Sequence, residues 1–358
     1  MTEKSGLLLY GANGYTGKLI LDVALREGLR PVLAGRSAAS VEPIAKAHDL
    51  PSLCFGLEDP GTVARLLEPF SALLLAAGPF SKTSAPALDA CLRAQTAYLD
   101  ITGEVAVFEA AFARDADAKK AGIPVLPGTG FDVVPSDCLA KALSEALPGA
   151  ETLTLAFRGF KPSAGTMKTM VEGAHKGGLV RAMGKLTRVP SAWKTMDVPF
   201  SDKSRLAMTI PWGDLATAWR STGIPNIEVY MAVPPSAVLN ARRMRRFAPV
   251  LGLGFVQSFL MRRIETRVKG PTAEERARER SFLWGRVTKR EGPAERAVEG
   301  TLETLEGYAL TAETSVAIAR RVLEGAVAPG VHTPSQAFGA RFIEMIPGSK
   351  LSVPRAAP

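Results

Sequence analysis

The chain has 358 residues, 46% of them hydrophobic and 22% charged. That is room for two domains with a real core and excludes a disordered or low-complexity chain. The three cysteines, Cys54, Cys91 and Cys138, and the three histidines, His48, His175 and His332, are scattered, which excludes a disulfide framework and leaves no metal-ligand spacing. The net charge of +9 is local: Arg242, Arg243, Arg245, Arg246, Arg262, Arg263, Arg267 and Lys269 stand against Glu265 alone within 241–269. The rest of the chain is nearly neutral and carries no nucleic-acid motif with aromatic interleaving, so nucleic acid is not an expected partner.

From residue 5 to about 145 short apolar runs at 6–10, 31–34, 71–76, 97–99 and 123–126 alternate with helical stretches near 15–27, 38–47, 60–68, 84–95, 104–121 and 135–146. Alternation of this kind predicts a parallel sheet covered on both faces, a doubly wound α/β domain. No charged-then-apolar signal segment opens the chain, so a cytoplasmic protein is expected. Pro148-Gly149 breaks the pattern. Beyond it, 151–159, parts of 205–211 and 227–232, and the pair 281–289 and 295–303 joined by "REGPAE" read as strands of an antiparallel kind. Helices are expected near 163–184, 236–268 and 308–324. The resulting division is a Rossmann domain over 1–148, an α+β substrate or dimerisation domain over 149–325, and a C-terminal return over 326–358.

The stretch "LLLYGANGYTG" places Gly11, Gly14 and Gly17 between a strand and a helix, the dinucleotide fingerprint. Gly11 permits the tight turn, Gly14 lets N–H groups approach a diphosphate, and Gly17 lets the helix pack on the strand. Asn13, Tyr15 and Thr16 share that turn, and the helix N-terminus offers free donors and the positive end of its dipole. The second strand ends "VLAGRS", where Arg36 stands in the place of the acidic residue that would hold an NAD ribose. An arginine there meets a 2′-phosphate, with Ser37 adding a hydroxyl, so the expected cofactor is NADP. Ala77, Gly78, Pro79 and Phe80 close the strand at 71–76 on the edge over which a cofactor backbone passes. "AYLDITGE" places Tyr98, Asp100, Gly103 and Glu104 at the next edge, and "GTGFDVVPSD" places Asp132 and Asp137 about a helix start, where Asp132 or Ser136 serves equally as a cap.

Taken in order, "GANGYTG", "LAGRS", "AAGPF", "YLDITGE" and "GTGFDVVPSD" resemble the saccharopine dehydrogenase-like oxidoreductases. "SAGTMKTM" (163–170) resembles that family's helix entry in the second domain, departing at Ala164. "GYALTA" (307–312) and "GVHTPSQAFG" (330–339) resemble the trans-acting enoyl reductase branch. The resemblance implies an NADP-binding Rossmann domain followed by an α+β substrate domain. Asp132 matches the aspartate of the saccharopine reductases' Gly-Leu-Asp-Pro-Gly stretch, but Val133 and Val134 replace its Pro-Gly. The branch therefore implies a lipid- or polyketide-derived double bond rather than saccharopine.

Hydride reduction of C=C or C=N needs one proton, for which Asp132, Tyr98, Lys168 and His175 are the candidates. Imine reduction of the saccharopine type is one alternative, and a non-catalytic NADP-binding protein at a membrane is another. Arginines bracket the fifteen apolar-rich residues Phe247 to Met261, too few to span a bilayer. Met244, Phe247, Leu251, Phe255 and Phe259 follow helical spacing. Either a buried or homodimer-interface helix or a peripheral membrane helix over 241–269 is expected.

Overall fold

The computed structural model describes residues 4–158, 161–247, 250 and 252–354, and it divides the chain into two compact units. The first comprises residues up to 134 together with 308–338; the second comprises 135–307 with 339 onward.

The first unit is built on six parallel strands, β1 Leu7–Tyr10, β2 Val32–Gly35, β3 Ser52–Cys54, β4 Ala72–Leu75, β5 Ala97–Asp100 and β6 Pro124–Leu126. A short strand at Gly330–Val331 joins them, giving the order 330–331, β6, β5, β4, β1, β2, β3. The connecting helices are α1 Tyr15–Arg26, α2 Ala38–Ala47, α3 Pro60–Leu67, α4 Phe80–Ala94, α5 Val105–Phe112 and α6 Asp115–Ala121. All residues of β1, β4 and β5 are buried, because helices cover both faces of a parallel sheet. That burial is what makes these strands continuous apolar runs in the sequence.

The departures have local causes. β3 is a three-residue edge strand with only half-buried side chains, Ser52 and Leu53, and one exposed, Cys54, so it leaves no apolar run to read. The helix expected near 84–95 starts at Phe80 instead, because Glu104 reaches across to cap it. The single helix expected at 104–121 is two, parted at Ala113 and Arg114.

Residues 308–323, within the helix Gly307–Leu323, complete this unit. Arg26 pairs with Glu313 at 2.7 Å and Tyr15 meets Tyr308 edge-on at 4.9 Å. The same helix supplies hydroxyls to the loop after β6. Thr311 Oγ1 accepts from Phe131 N–H at 2.9 Å, Thr314 Oγ1 donates to the Thr129 carbonyl at 2.7 Å, and Ser315 Oγ lies 3.1 Å from Thr129 Oγ1.

The second unit is a mixed sheet of β7 Thr152–Arg158, β8 Gly178–Ala182, β9 Lys185–Val189, β10 Thr195–Pro199, β11 Ser204–Thr209, β12 Asn226–Ala232, β13 Arg280–Glu291, β14 Ala294–Leu305 and a short strand at Lys350–Ser352. The order is β10, β11, β12, β7, β13, β14, 350–352, with β8 pairing β12 and β9. Helix α7, Val134–Ala146, enters this unit at Pro135. Val198, Phe200, Ala207, Tyr230 and Trp284 form a core cluster on the sheet.

The β13–β14 hairpin runs deeper into "REGPAE" than expected, to a two-residue Gly292-Pro293 turn with Gly292 at φ +63°, the type II′ pattern in which the first central residue alone takes a positive φ. The helix expected over 163–184 stops as α8, Ala164–Gly173. Its second half is instead the hairpin β8–β9, closed by Met183-Gly184, both at positive φ. That hairpin, β10 and the helix α9, Asp214–Thr222, were not expected. The helix expected over 236–268 is α10, Pro235–Met244, a 3-10 turn at Arg245–Phe247 and a separate helix at Gly254–Arg267. Gly159 of the first strand reading and Leu251 of the apolar face lie outside the described residues.

Replacing Thr311 by Val leaves the Phe131 N–H buried without its acceptor. The variant is expected to lose about 1–3 kcal/mol, measured by urea unfolding. An unchanged midpoint would show that the return helix does not hold this loop.

Candidate functional site

Gly11 follows β1 with φ +94°, and a Cβ there would stand 2.9 Å from the Ala76 carbonyl carbon and from Ala77 Cβ. A Cβ on Gly17 would fall 2.2 Å from the Gly11 carbonyl oxygen. Only glycine fits at either position, and the backbone of the turn is held by Gly11 N–H to Ala34 O at 2.8 Å and Gly14 N–H to Gly11 O at 3.0 Å. The first turn of α1 has neither a side-chain cap nor an acidic residue. Its donors are therefore open to an anion. Asn13 and Thr16 sit in this turn, Asn13 exposed and Thr16 half-buried.

The N-terminus of α4 contrasts with it. Glu104 Oε1 accepts from Phe80 N–H at 3.0 Å and Oε2 from Ser81 N–H at 3.1 Å. A protein carboxylate already occupies that helix end, so Glu104 is committed to positioning the loop Ala77–Phe80. Thr83 Oγ1 donates to the Ala77 carbonyl at 2.7 Å, and the Gly78-Pro79 peptide is cis. Ala77 and Pro79 are half-buried and Gly78 exposed at the edge of β4.

Arg36 lies exposed at the end of β2 with no ion pair among the described residues, and exposed Ser37 is the N-cap residue of α2. A cation left unpaired beside the open end of α1 suits a phosphate. An open helix end, a turn without Cβ atoms and an unpaired arginine together fit a dinucleotide with a 2′-phosphate.

At the next edge two aspartates differ sharply. Asp100 is fully buried, and both its oxygens are satisfied: Oδ1 accepts from the N–H groups of Thr102 and Gly128, each at 2.9 Å, and Oδ2 accepts from Tyr98 O–H at 2.6 Å. Burial pushes its carboxyl up to about 6, against the pull of those donors. Tyr98 is itself buried and its hydroxyl is spent on Asp100, which gives it a positioning role in the loop. Asp132 keeps some exposed surface, yet its Oδ1 is sealed from solvent and accepts no hydrogen bond. Its side chain lies against Gly103, where a Cβ would come 2.7 Å from Oδ2. Desolvation raises the Asp132 carboxyl to about 7. No helix cap is made by this side chain among the described residues.

Lys168 and His175 belong to the second unit, on α8 and the 3-10 turn after it. The site so far described is thus the work of the first unit, with Asp132 as its ionisable group. The hydroxyls of Thr311, Thr314 and Ser315 were not anticipated. Their spacing, i, i+3 and i+4 on one helical face, was legible as a polar stripe, but nothing in it named a target.

Residues 7–126 match the family described as the saccharopine dehydrogenase NADP binding domain. A Mycobacterium tuberculosis protein bearing the name trans-acting enoyl reductase is 27% identical over 282 residues, 73% of this chain and 59% of that protein. A Mycobacterium leprae trans-acting enoyl reductase is 32% identical over 144 residues, 37% of this chain and 33% of its own length. The chain therefore spans less than two thirds of these relatives. The apo saccharopine dehydrogenase (L-Glu forming) of Saccharomyces cerevisiae superposes with a TM-score of 0.64 at 11% identity, over 97% of this chain and 99% of that one. That likeness is one of fold: a parallel Rossmann sheet and a second, mixed-sheet domain.

Two outcomes follow from this site. NADPH should bind about ten- to a hundred-fold more tightly than NADH, the worth of one charge-assisted contact, and Arg36→Asp should abolish or reverse the preference in a fluorescence titration. Equal affinities in the unaltered protein would remove Arg36 from the site. Asp132 makes a second prediction. A carboxyl raised to about 7 when folded holds a proton that the unfolded chain releases near 4, so its contribution to stability falls as pH rises from about 4 to about 7 and is constant above. Asp132→Asn should therefore match the parent's thermal midpoint at pH 4 and exceed it at pH 8. Equal shifts at both pH values would contradict the raised carboxyl.

Proposed function

We propose that the chain is an NADPH-dependent oxidoreductase that reduces an activated C=C bond of an enoyl, lipid- or polyketide-like substrate, with Asp132 as proton donor. One observation carries the reading: a half-buried carboxyl whose Oδ1 is sealed from solvent without a hydrogen-bond partner among the described residues, raised to about 7, in the same unit as the dinucleotide turn. The names of the trans-acting enoyl reductase relatives support the choice of double bond.

When bound, NADPH supplies the hydride that saturates the β-carbon of the enoyl group. The chain's own residues do the rest. The open first turn of α1 binds the diphosphate and Arg36 holds the 2′-phosphate. Asp100, with Tyr98, Thr102 and Gly128, fixes the two loops that frame Asp132. The α-carbon left electron-rich by hydride addition needs one proton, and Asp132 holds one at its carboxyl up to about pH 7, where a donor is best matched to neutral chemistry. Hydride and proton together account for the two hydrogens gained by the bond.

The test is NADPH oxidation with α,β-unsaturated thioesters. Asp132→Asn should lower turnover about 10²–10⁴-fold, with NADPH affinity unchanged, and should erase the fall in rate that the parent shows as pH rises through about 7. Turnover and pH profile equal to the parent's would reduce Asp132 to a structural residue.

A further inference from the structure

The second unit carries a surface that the chemistry of the first does not use. In the helix Gly254–Arg267, the inner face is formed by half-buried Val256 and Leu260 and by buried Ile264, and this helix packs against α8. Its outer face presents Phe255, 74% exposed, and Phe259, 57% exposed, one turn apart. Phe247, Leu253, Met244 and Leu239 are exposed on the preceding segments. These are large apolar groups held in water on neighbouring pieces of one stretch of chain, and that arrangement is costly unless something covers them.

The charges say what covers them. Arg242, Arg243, Arg262, Arg263, Arg267 and Lys269 are all exposed and none has an ion-pair partner among the described residues. Arg263 lies over the Phe259 ring at 5.3 Å, so cation and apolar group share a surface. Arg245 differs: its guanidinium is spent on the Ser191 and Ala192 carbonyls, which ties the segment to the body of the unit. No helix among the described residues is long and apolar enough to cross a membrane. Exposed aromatics beside unpaired arginines, on helices too short to span, match a layer with anionic head groups above and acyl chains below. A nucleic acid would use the cations and leave the leucine, methionine and phenylalanine side chains of this stretch without a purpose.

We infer that the exposed apolar and basic residues of 239–247 and 253–269 named above form a docking surface for an anionic lipid membrane, with Phe255 and Phe259 entering the acyl boundary and the six cations that lack an ion-pair partner among the described residues meeting the head groups. The inference goes beyond the proposed reduction and does not rest on it: the surface docks or fails to dock whatever the first unit catalyses.

Co-sedimentation of the full chain tests it, using vesicles of phosphatidylcholine alone and vesicles in which part of it is replaced by phosphatidylglycerol. Binding is expected only to the phosphatidylglycerol vesicles, and it should weaken from ~0.1 M to ~1 M salt as the screening length falls from ~10 Å to ~3 Å. Arg262→Gln with Arg263→Gln should weaken it about fivefold per charge, the equivalent of ~1 kcal/mol for each basic residue near an anionic surface. Phe255→Ser with Phe259→Ser should weaken it at least as much, with the thermal midpoint retained because both side chains are exposed. Absence of binding, equal binding to both vesicles, or unaltered binding by the phenylalanine variant would overturn the inference. A chain that ignores both vesicles but changes from dimer to monomer with the phenylalanine variant would make the face a subunit contact instead.

Discussion

The site depends on a carboxylate that does no chemistry. Asp100 ends β5 in full burial, and every oxygen it has is taken: two backbone N–H groups on one, the Tyr98 hydroxyl on the other. Its backbone carbonyl accepts from both the N–H and the hydroxyl of Thr129. A single residue thereby ties the loop after β5 to the loop after β6. Burying a carboxylate costs heavily unless it is fully hydrogen-bonded, and this one is. The same bonds hold the loop that carries Asp132, whose Oδ1 has no hydrogen-bond partner among the described residues.

The same contrast recurs at the helix ends. Among the helix N-termini at the carboxyl edge of the parallel sheet, those of α1 and α4 contrast. The chain fills one with Glu104 and leaves the other bare. Bare donors at a helix start seek an anion, while filled ones fix a loop. Glu104 was expected among the cofactor contacts on the grounds of its place in the sequence. Its bonds give it to the protein, and what it contributes is the position of Ala77–Phe80.

In the second unit the apolar and charged residues of 239–269 are arranged contrary to burial logic. Aliphatic residues of the helix 254–267 do face inward, at Val256, Leu260 and Ile264. The largest apolar side chains face out, together with arginines that have no ion-pair partner among the described residues. Folding of the unit alone gives no reason for that placement.

Much of the first unit was legible from sequence because each of its strands is buried on both sides. β1, β4 and β5 appear as apolar runs, and glycines at 11, 14 and 17 mark a turn where added carbons would strike backbone. Arg36 was legible for the same local reason: the residue at the end of β2 is fixed in space by the strand before it. β3 was not, since a three-residue edge strand with a half-buried face leaves no pattern. Strand β8 and the turn after it were read as the end of a helix, and the positive φ of Met183 and Gly184 commits that end to a hairpin. The sequence placed Asp132 among four proton donors but had no means of ranking them. Hydrogen bonds set their surroundings apart: Tyr98 gives its hydroxyl to Asp100, two residues on, and the loop bearing Asp132 is held by Thr311, Thr314 and Ser315, some 180 positions away. Local pattern determines where the chain turns and which face it buries. Which carboxylate is left without a partner is a property of packing, and only the tertiary structure decides it.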